Sequence, residues 1–461
     1  MSLDLIIDGA EVFLDGRLRA ATVGVRDGRI ERVFPPGTPA DAVERVDARG
    51  MWVLPGLIDP HVHLRDPGAE YKEDIRSGTA AAAAGGITTV ADMPNCSPPT
   101  VGTDAIAAKA AKASSDSYVD FAIWAGATRP EDVTQAAAAG AIGIKLYLNG
   151  PVNRSRDDEW DPRSSTSHPG LTVRQPAQLY EIVKAAAEVD LPVAVHLGEQ
   201  TLIDLHRGGW AGRSFAEVVE EYRVESTLDK RIAAATCVEI AGETGAWVHL
   251  VHVWADVVPI AVAGMGSGAR ITLESLVPFM SFSLADTLGP QGFNRYKTDA
   301  ELDRLWSYIR DRTIGVIATD HAPQHLAEKD QGWQDMLACP SGFPELETSA
   351  AMMLNEVTAD RLDLAILVET MSTNPAALLG LQERKGTIAP GYDADLAIVD
   401  PSMSWSIGDR PFLTKSNWSP YQGRSVTGRV EGTVVRGRIV YWRGSLVGSP
   451  GHGDVLRRHR Q

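Results

Sequence analysis

The sequence predicts an α/β protein: a TIM-type (β/α)8 barrel carrying a small β-sandwich domain built from the two chain ends. Three observations predict it. Between residues 55 and 380, short apolar runs alternate with Ala-rich helical stretches, and repeated strand-then-helix order builds a parallel sheet. About eight such units fit that length, as a closed barrel requires. Both chain ends instead read as short strands joined by Gly turns. A doubly wound open sheet is the alternative, but no Gly-rich phosphate loop follows the first strand.

Taken in order, residues 1–54 start the small domain. Leu5-Ile6-Ile7 precedes Asp8-Gly9, and Val23-Gly24-Val25 precedes Asp27-Gly28; Gly in such turns supplies positive φ. Residues 381–461 repeat the texture with Asp395–Asp400 and Gly432–Tyr441, so the two ends are expected to pair, with 55–380 inserted between them as the barrel. Barrel strands are expected at Leu57–Ile58, Gly86–Asp92, Asp120–Trp124, Gly143–Tyr147, Pro192–His196, Val248–His252 and Ile314–Asp320. Helices are expected at Thr79–Ala84, Ala105–Ala113, Gln178–Val189, Lys230–Thr244 and Asp299–Arg310. The long polar stretch from Gly150 to Gly170, with Trp160, reads as a lid or a plain surface excursion.

Composition narrows the function classes. The chain has 461 residues, 44% hydrophobic and 23% charged, which suits a globular enzyme with one large and one accessory domain. A net charge of −16 argues against nucleic acid or an anionic membrane as main partner. Cys96, Cys237 and Cys339 are scattered and odd in number, fitting a reducing compartment without a disulfide framework. There is no signal-peptide pattern and no apolar run of about 18 residues or more. A cytoplasmic location is the expectation.

Chemistry-bearing residues gather at the ends of the expected strands, where a barrel keeps its catalytic groups. His61 and His63 are two apart, so on a strand both imidazoles point to one side and can converge on a borderline-soft cation such as zinc. Alone, the pair is equally a chance feature of a polar edge. Asn95, Lys145, His196, His252 and Asp320 also end or follow strands, which favours a metal site. Lys145 lies in the apolar run Ile144–Leu148. It either snorkels to the rim or has become a carbamate, an anion able to bridge two metals. Asp320 either coordinates and moves a proton or caps a turn. His249 and His252, three apart on one strand, should face opposite sides, and His252 is preferred because it leaves the strand. His168, His206, His452 and His459 read as surface residues.

Together these residues resemble the amidohydrolase superfamily, specifically its cyclic amidohydrolases: dihydroorotases, allantoinases and hydantoinases. The resemblance spans nearly the whole chain and is similar to dihydroorotases above all. It is carried by His61-Val-His63-Leu-Arg65-Asp-Pro-Gly68, Tyr71–Asp74, Ala84-Gly-Gly-Ile-Thr88, Met93-Pro-Asn95, Gly143–Asn149, Thr319-Asp-His-Ala-Pro323, Glu328-Lys329 and Leu346-Glu-Thr348. The resemblance implies two zinc ions, one held by His61, His63 and Asp320 and the other by His196 and His252. Carbamylated Lys145 (N6-carboxylysine) and a hydroxide would bridge them. It further implies that the hydroxide attacks a ring amide, that Asp320 carries the proton, and that Arg65 and Asn95 hold a substrate carboxylate. A small cyclic amide is the implied partner, in a homo-oligomer, dimer or tetramer.

The chain departs from dihydroorotases on the substrate side. Gln324 stands where they place a carboxylate-binding histidine, with His325 one step later as the candidate substrate-binding replacement if the loop absorbs the shift. Val277-Pro-Phe-Met280 replaces their Thr-Pro-His-His type sequence, and Phe293–Lys297 replaces a Pro-Pro-Leu-Arg type segment. Dihydroorotate, opened reversibly to N-carbamoyl-aspartate, is the expected substrate. The alternatives are an allantoinase- or hydantoinase-type or other catabolic cyclic-imide hydrolase, and a non-catalytic scaffold. The scaffold should have lost metal ligands, and this chain keeps them.

Overall fold

The computed structural model describes residues 2–150, 171–223, 225–283, 289–292 and 297–458. The expected lid with Trp160, His168 and His459, and Phe293–Tyr296 lie outside them. The strands in chain order are β1 (Leu3–Leu14), β2 (Arg17–Arg26), β3 (Arg29–Phe34), β4 (Ala42–Asp47) and β5 (Trp52–Pro55). The middle of the chain supplies β6 (Leu57–Val62), β7 (Ile87–Asp92), β8 (Asp120–Gly126), β9 (Gly143–Tyr147), β10 (Val193–His196), β11 (Val248–Leu250), β12 (Ile271–Leu276) and β13 (Val316–Ala318). The far end adds β14 (Leu396–Ser406), β15 (Ser425–Val435), β16 (Arg438–Trp442) and β17 (Ser445–Leu446).

Strands β6 to β13 form one eight-stranded parallel sheet in sequence order. It curls until Val62 bridges His321, where the His63 N–H donates to the His321 carbonyl at 2.7 Å. The sheet is thus a nearly closed TIM-like barrel. Its strands are buried along almost every residue, as expected where helices cover the outer face. Those helices are where the sequence places them, a few residues longer at most: Ile75–Ala84, Gly102–Asp116, Pro176–Glu188, Leu228–Thr244 and Asp299–Arg310. Reciprocal caps start two of them. Asp74 accepts from the Ser77 N–H at 2.7 Å, and Thr298 accepts from the Glu301 N–H at 3.2 Å, each worth about 1 kcal/mol.

The chain ends form a second sheet of nine strands, ordered β17-β16-β15-β14-β5-β1-β2-β3 with β4 paired to β1. The two ends meet where β5 runs antiparallel to β14, Val53 opposite Ile398. Register shifts at Ile7/Ala10 and Ile398/Val399 mark bulges, which bend strands. One core of Leu5, Ile7, Val23, Val53, Leu396 and Ile398 then serves both ends. The connection from β14 to β15, residues 407–424, leaves this sheet and lies against the barrel. Among the described residues no helix is long and apolar enough to cross a membrane.

Candidate active site

The site is built at the C-terminal ends of the barrel strands. His61 ends β6 on a base made by Asp59, which accepts the His61 N–H at 3.1 Å and the Thr319 hydroxyl at 2.5 Å. This buried carboxyl ties β6 to the segment after β13, and burial pushes it up to about 7. Past the strand, Arg65, His252 and Asp320 all take the left-handed region, with φ of 61°, 39° and 48°. Each costs of order 1–3 kcal/mol and persists only because its surroundings impose it.

Two imidazoles converge on one carboxylate oxygen. His63 Nε2 is 3.0 Å and His61 Nε2 3.4 Å from Asp320 Oδ1. Their other nitrogens are anchored: His61 Nδ1 lies 2.8 Å from Glu274 Oε1 and His63 Nδ1 2.6 Å from Asn95 Oδ1. Nδ1 is thereby the donor, and Nε2 turns its lone pair inward. Burial holds His63 down at about 4, so its ring is neutral at physiological pH. A second pair faces the first: His196 Nδ1 is 2.8 Å from His252 Nε2, and the His61 and His252 ring centres are 5.6 Å apart. Burial, then mutual repulsion and Lys145, drive His196 well below the usual imidazole value.

Lys145 lies on β9 with its ammonium fully buried and, among the described residues, without a hydrogen-bond partner. Burial lowers it to about 8 against the pull of Glu274 and Asp320. Lone pairs pointing at one another, an anionic oxygen between two of them and an unpaired amine are what a cation-binding site shows. His61, His63 and Asp320 place ligand atoms within 4.8 Å of one another. The other such group, Asp120, Asp393 and Asp395, is occupied by Lys385, whose Nζ is 2.7 Å from Asp120 Oδ2.

The structure thus brings together His61, His63, Lys145, His196, His252 and Asp320, with Asn95 joined through His63. Arg65 is 3% exposed, and its Nε and Nη2 have no partner among the described residues. His325 turns elsewhere. Its Nε2 is 3.2 Å from the Tyr71 carbonyl, its ring stacks on Tyr71 at 5.9 Å, and it caps the helix Leu326–Lys329. Gln324 is fully buried.

One expectation needs correction. Strand β11 stops at Leu250, so strand alternation does not govern His252, whose ring turns to His196 while that of His249 turns to Thr272 and Glu274. The left-handed turn at His252 lets both reach Glu274, through His249 Nε2 at 3.3 Å and the His252 N–H at 3.1 Å. Sequence reading also missed β12 and with it Glu274. Burial alone would raise this carboxyl, but His61 and His249 outweigh that and hold it low. The signal was Thr272 and Glu274 alternating with Ile271 and Leu273. Tyr147 was missed too. It lies two residues past Lys145 on the same strand side, with a buried hydroxyl lacking a partner among the described residues.

A TIM-like barrel with imidazoles, a lysine and an aspartate at its C-terminal mouth defines a metal-dependent hydrolase class. The chain belongs to the amidohydrolase family, whose model matches residues 52–440. It is 35% identical over 439 residues to a dihydroorotase of Halobacterium salinarum, covering 95% of this chain and 96% of that protein. It is 31% identical over 471 residues to an allantoinase of Rubrobacter xylanophilus, covering 100% and 99%. Among solved structures it is similar to the L-hydantoinase of Arthrobacter aurescens, with a TM-score of 0.90, 27% identity, and 99% and 100% of the two chains covered. The protein is therefore a hydrolase whose relatives bear the names of cyclic-amide hydrolases, and members of its family depend on metal.

Proposed function

We propose that this chain is a binuclear zinc hydrolase that opens a carboxylate-bearing cyclic amide, with dihydroorotate and N-carbamoyl-aspartate as its pair. The observation that carries the carboxylate is Arg65. A buried guanidinium with two nitrogens unbonded is costly to keep, even with Asp320 and Asp92 attracting it, and an incoming carboxylate offers two oxygens to those two nitrogens. A neutral hydantoin or allantoin ring brings no anion to those two nitrogens.

His61, His63 and Asp320 would hold one zinc and His196 and His252 the other. Bound zinc supplies a hydroxide nucleophile near neutral pH and polarises the ring carbonyl. Lys145, lowered to about 8, is partly the free amine, the form that adds carbon dioxide. The nitrogen–carbon bond would form with loss of one proton, leaving Lys145 as an anionic carbamate that would serve as a further ligand beside the four imidazoles and Asp320. Asp320 takes the proton of the attacking water and delivers it to the ring nitrogen as the amide C–N bond breaks. Arg65 and the Asn95 amide hold the carboxylate and so orient the ring.

A hydantoinase-like substrate is the second reading. It is favoured by the likeness to the L-hydantoinase and by Gln324 in place of a histidine. Zinc-loaded protein assayed with dihydroorotate, allantoin and a hydantoin decides between them. We expect about two zinc ions per chain and dihydroorotate favoured by roughly 100-fold in kcat/KM, the worth of a charged contact. Opening of a neutral ring with dihydroorotate untouched would overturn the carboxylate reading.

A further inference from the structure

Gln324 follows the run Asp320-His-Ala-Pro323, at the position where a dihydroorotase places a substrate-binding histidine. Its side chain is fully buried, and both ends of its amide are held by the protein. Oε1 accepts from Lys72 Nζ at 2.5 Å, and Nε2 donates to the Ser341 carbonyl at 3.2 Å. Lys72 is itself fully buried and pairs with Glu328 at 3.0 Å. The Gln324 carbonyl accepts from the indole N–H of Trp418 at 2.8 Å. Trp418 comes from the 407–424 connection of the terminal sheet and packs edge-on against Phe343, ring centres 5.9 Å apart.

Three chain segments therefore meet at one residue: the loop after β6 through Lys72, the 339–344 loop through Ser341, and the 407–424 connection through Trp418. Close backbone approach reinforces the junction. At Gly342, with φ of 103°, a Cβ would lie 2.4 Å from the Ala322 carbonyl oxygen, so only glycine fits. The same connection also grips the loop after β6. Thr414 donates to Glu73, and Lys415 Nζ donates to the Glu70 carbonyl at 2.6 Å. Glu73 in turn faces His321 Nε2 at 3.4 Å, next to Asp320.

We propose that Gln324 is a positioning residue rather than a substrate ligand. Trp418 and Lys72 clamp it and thereby fix the Asp320–Gln324 run over the metal-capable cluster. An amide with both ends engaged by the protein can turn to an incoming carboxylate only by breaking hydrogen bonds it already makes. The terminal sheet thus takes part in the site without touching substrate. The inference rests on the proposed ring opening for its kinetic readout only.

Trp418→Phe keeps the ring and removes the N–H. Peptide-resolved hydrogen exchange should show residues 319–326 opening about tenfold faster than in the parent, with the helix Pro176–Glu188 unchanged. This reading needs no substrate. In kinetics on whichever ring the parent opens, Gln324→Leu should lose roughly 10- to 100-fold in kcat/KM through misplacement. Gln324→Glu keeps an acceptor for Lys72 but loses the donor to the Ser341 carbonyl, so it should recover only part of that loss. Unchanged exchange at 319–326, or equal acceleration of both segments, would overturn the clamp. Retained kcat with a steep KM rise for a carboxylated ring in the uncharged Gln324→Leu would overturn the positioning role, since a residue that only holds the run in place should lose turnover as well. A parent that opens none of the rings defeats the proposed function and leaves the exchange result to decide the clamp.

Discussion

Arg65 concentrates the site's selectivity in one side chain. Its backbone sits in the left-handed region at φ 61°, and its carbonyl accepts the Ala69 N–H at 2.9 Å, which holds that turn. Burial lowers the guanidinium from its ordinary value against Asp320 and Asp92, yet an arginine stays charged throughout the working range. A charge held this way in the free enzyme is preorganised for an anion and costs nothing to reorganise when one binds. Arg65→Met should therefore raise KM for dihydroorotate by roughly 100-fold and barely move turnover of a neutral hydantoin. Parallel steady-state assays of the two rings check this, and equal losses on both would count against a carboxylate contact.

At the element scale, β12 supports the site from beneath. Its Glu274 accepts from or faces His61, His249 and the His252 backbone N–H, so one carboxylate orients groups delivered by β6 and β11. A carboxylate behind an imidazole fixes its tautomer and raises its basicity toward a metal. Glu274→Gln keeps the shape but removes that charge. Zinc affinity should fall about 10- to 100-fold, measurable by competition with a chelator, while far-ultraviolet dichroism stays at the parent level. The strand ends matter in the same way: β11 and β13 stop early, at Leu250 and Ala318, and the left-handed turns beyond them aim His252 and Asp320 at the cluster.

Across the whole molecule, the terminal sheet and the barrel are locked by buried charge. Lys385 lies among Asp120, Asp393 and Asp395, joining β8 to the segment before β14, and Arg436 reaches Asp120 at 3.0 Å. Glu347 is the second joint. Its carboxylate accepts the Leu413 N–H at 3.0 Å and the Thr414 N–H at 3.2 Å. Burial nevertheless pushes it up to about 8, opposed by those two donors. A carboxyl raised in the folded state binds more protons there than in the unfolded chain, so its contribution declines from the unfolded pKa near 4.5 up to about 8. Glu347→Gln carries no such proton. Compared with the parent, it should gain roughly 1–3 kcal/mol between pH 6 and pH 9, read from urea unfolding of both proteins at each pH. A stability difference that does not change with pH would reject this.

The sequence by itself determined what depends on local periodicity. Alternating β and α runs foretold the barrel, matching textures at the ends foretold that the two ends would pair, and two-residue spacing put His61 and His63 on one side of a strand. It also showed ligand-type residues at strand ends and the buried lysine in Ile144–Leu148. Tertiary structure alone decided what depends on contacts between distant residues. Glu274 meets His61 across 213 positions, Trp418 meets Gln324 across 94, and neither spacing leaves a local pattern. His325, one place from the expected histidine, turns to Tyr71, while Lys72, Ser341 and Trp418 hold Gln324. Alternation along a strand is set by covalent geometry and can be read from order alone. Which loop reaches which residue is set by how the whole chain packs.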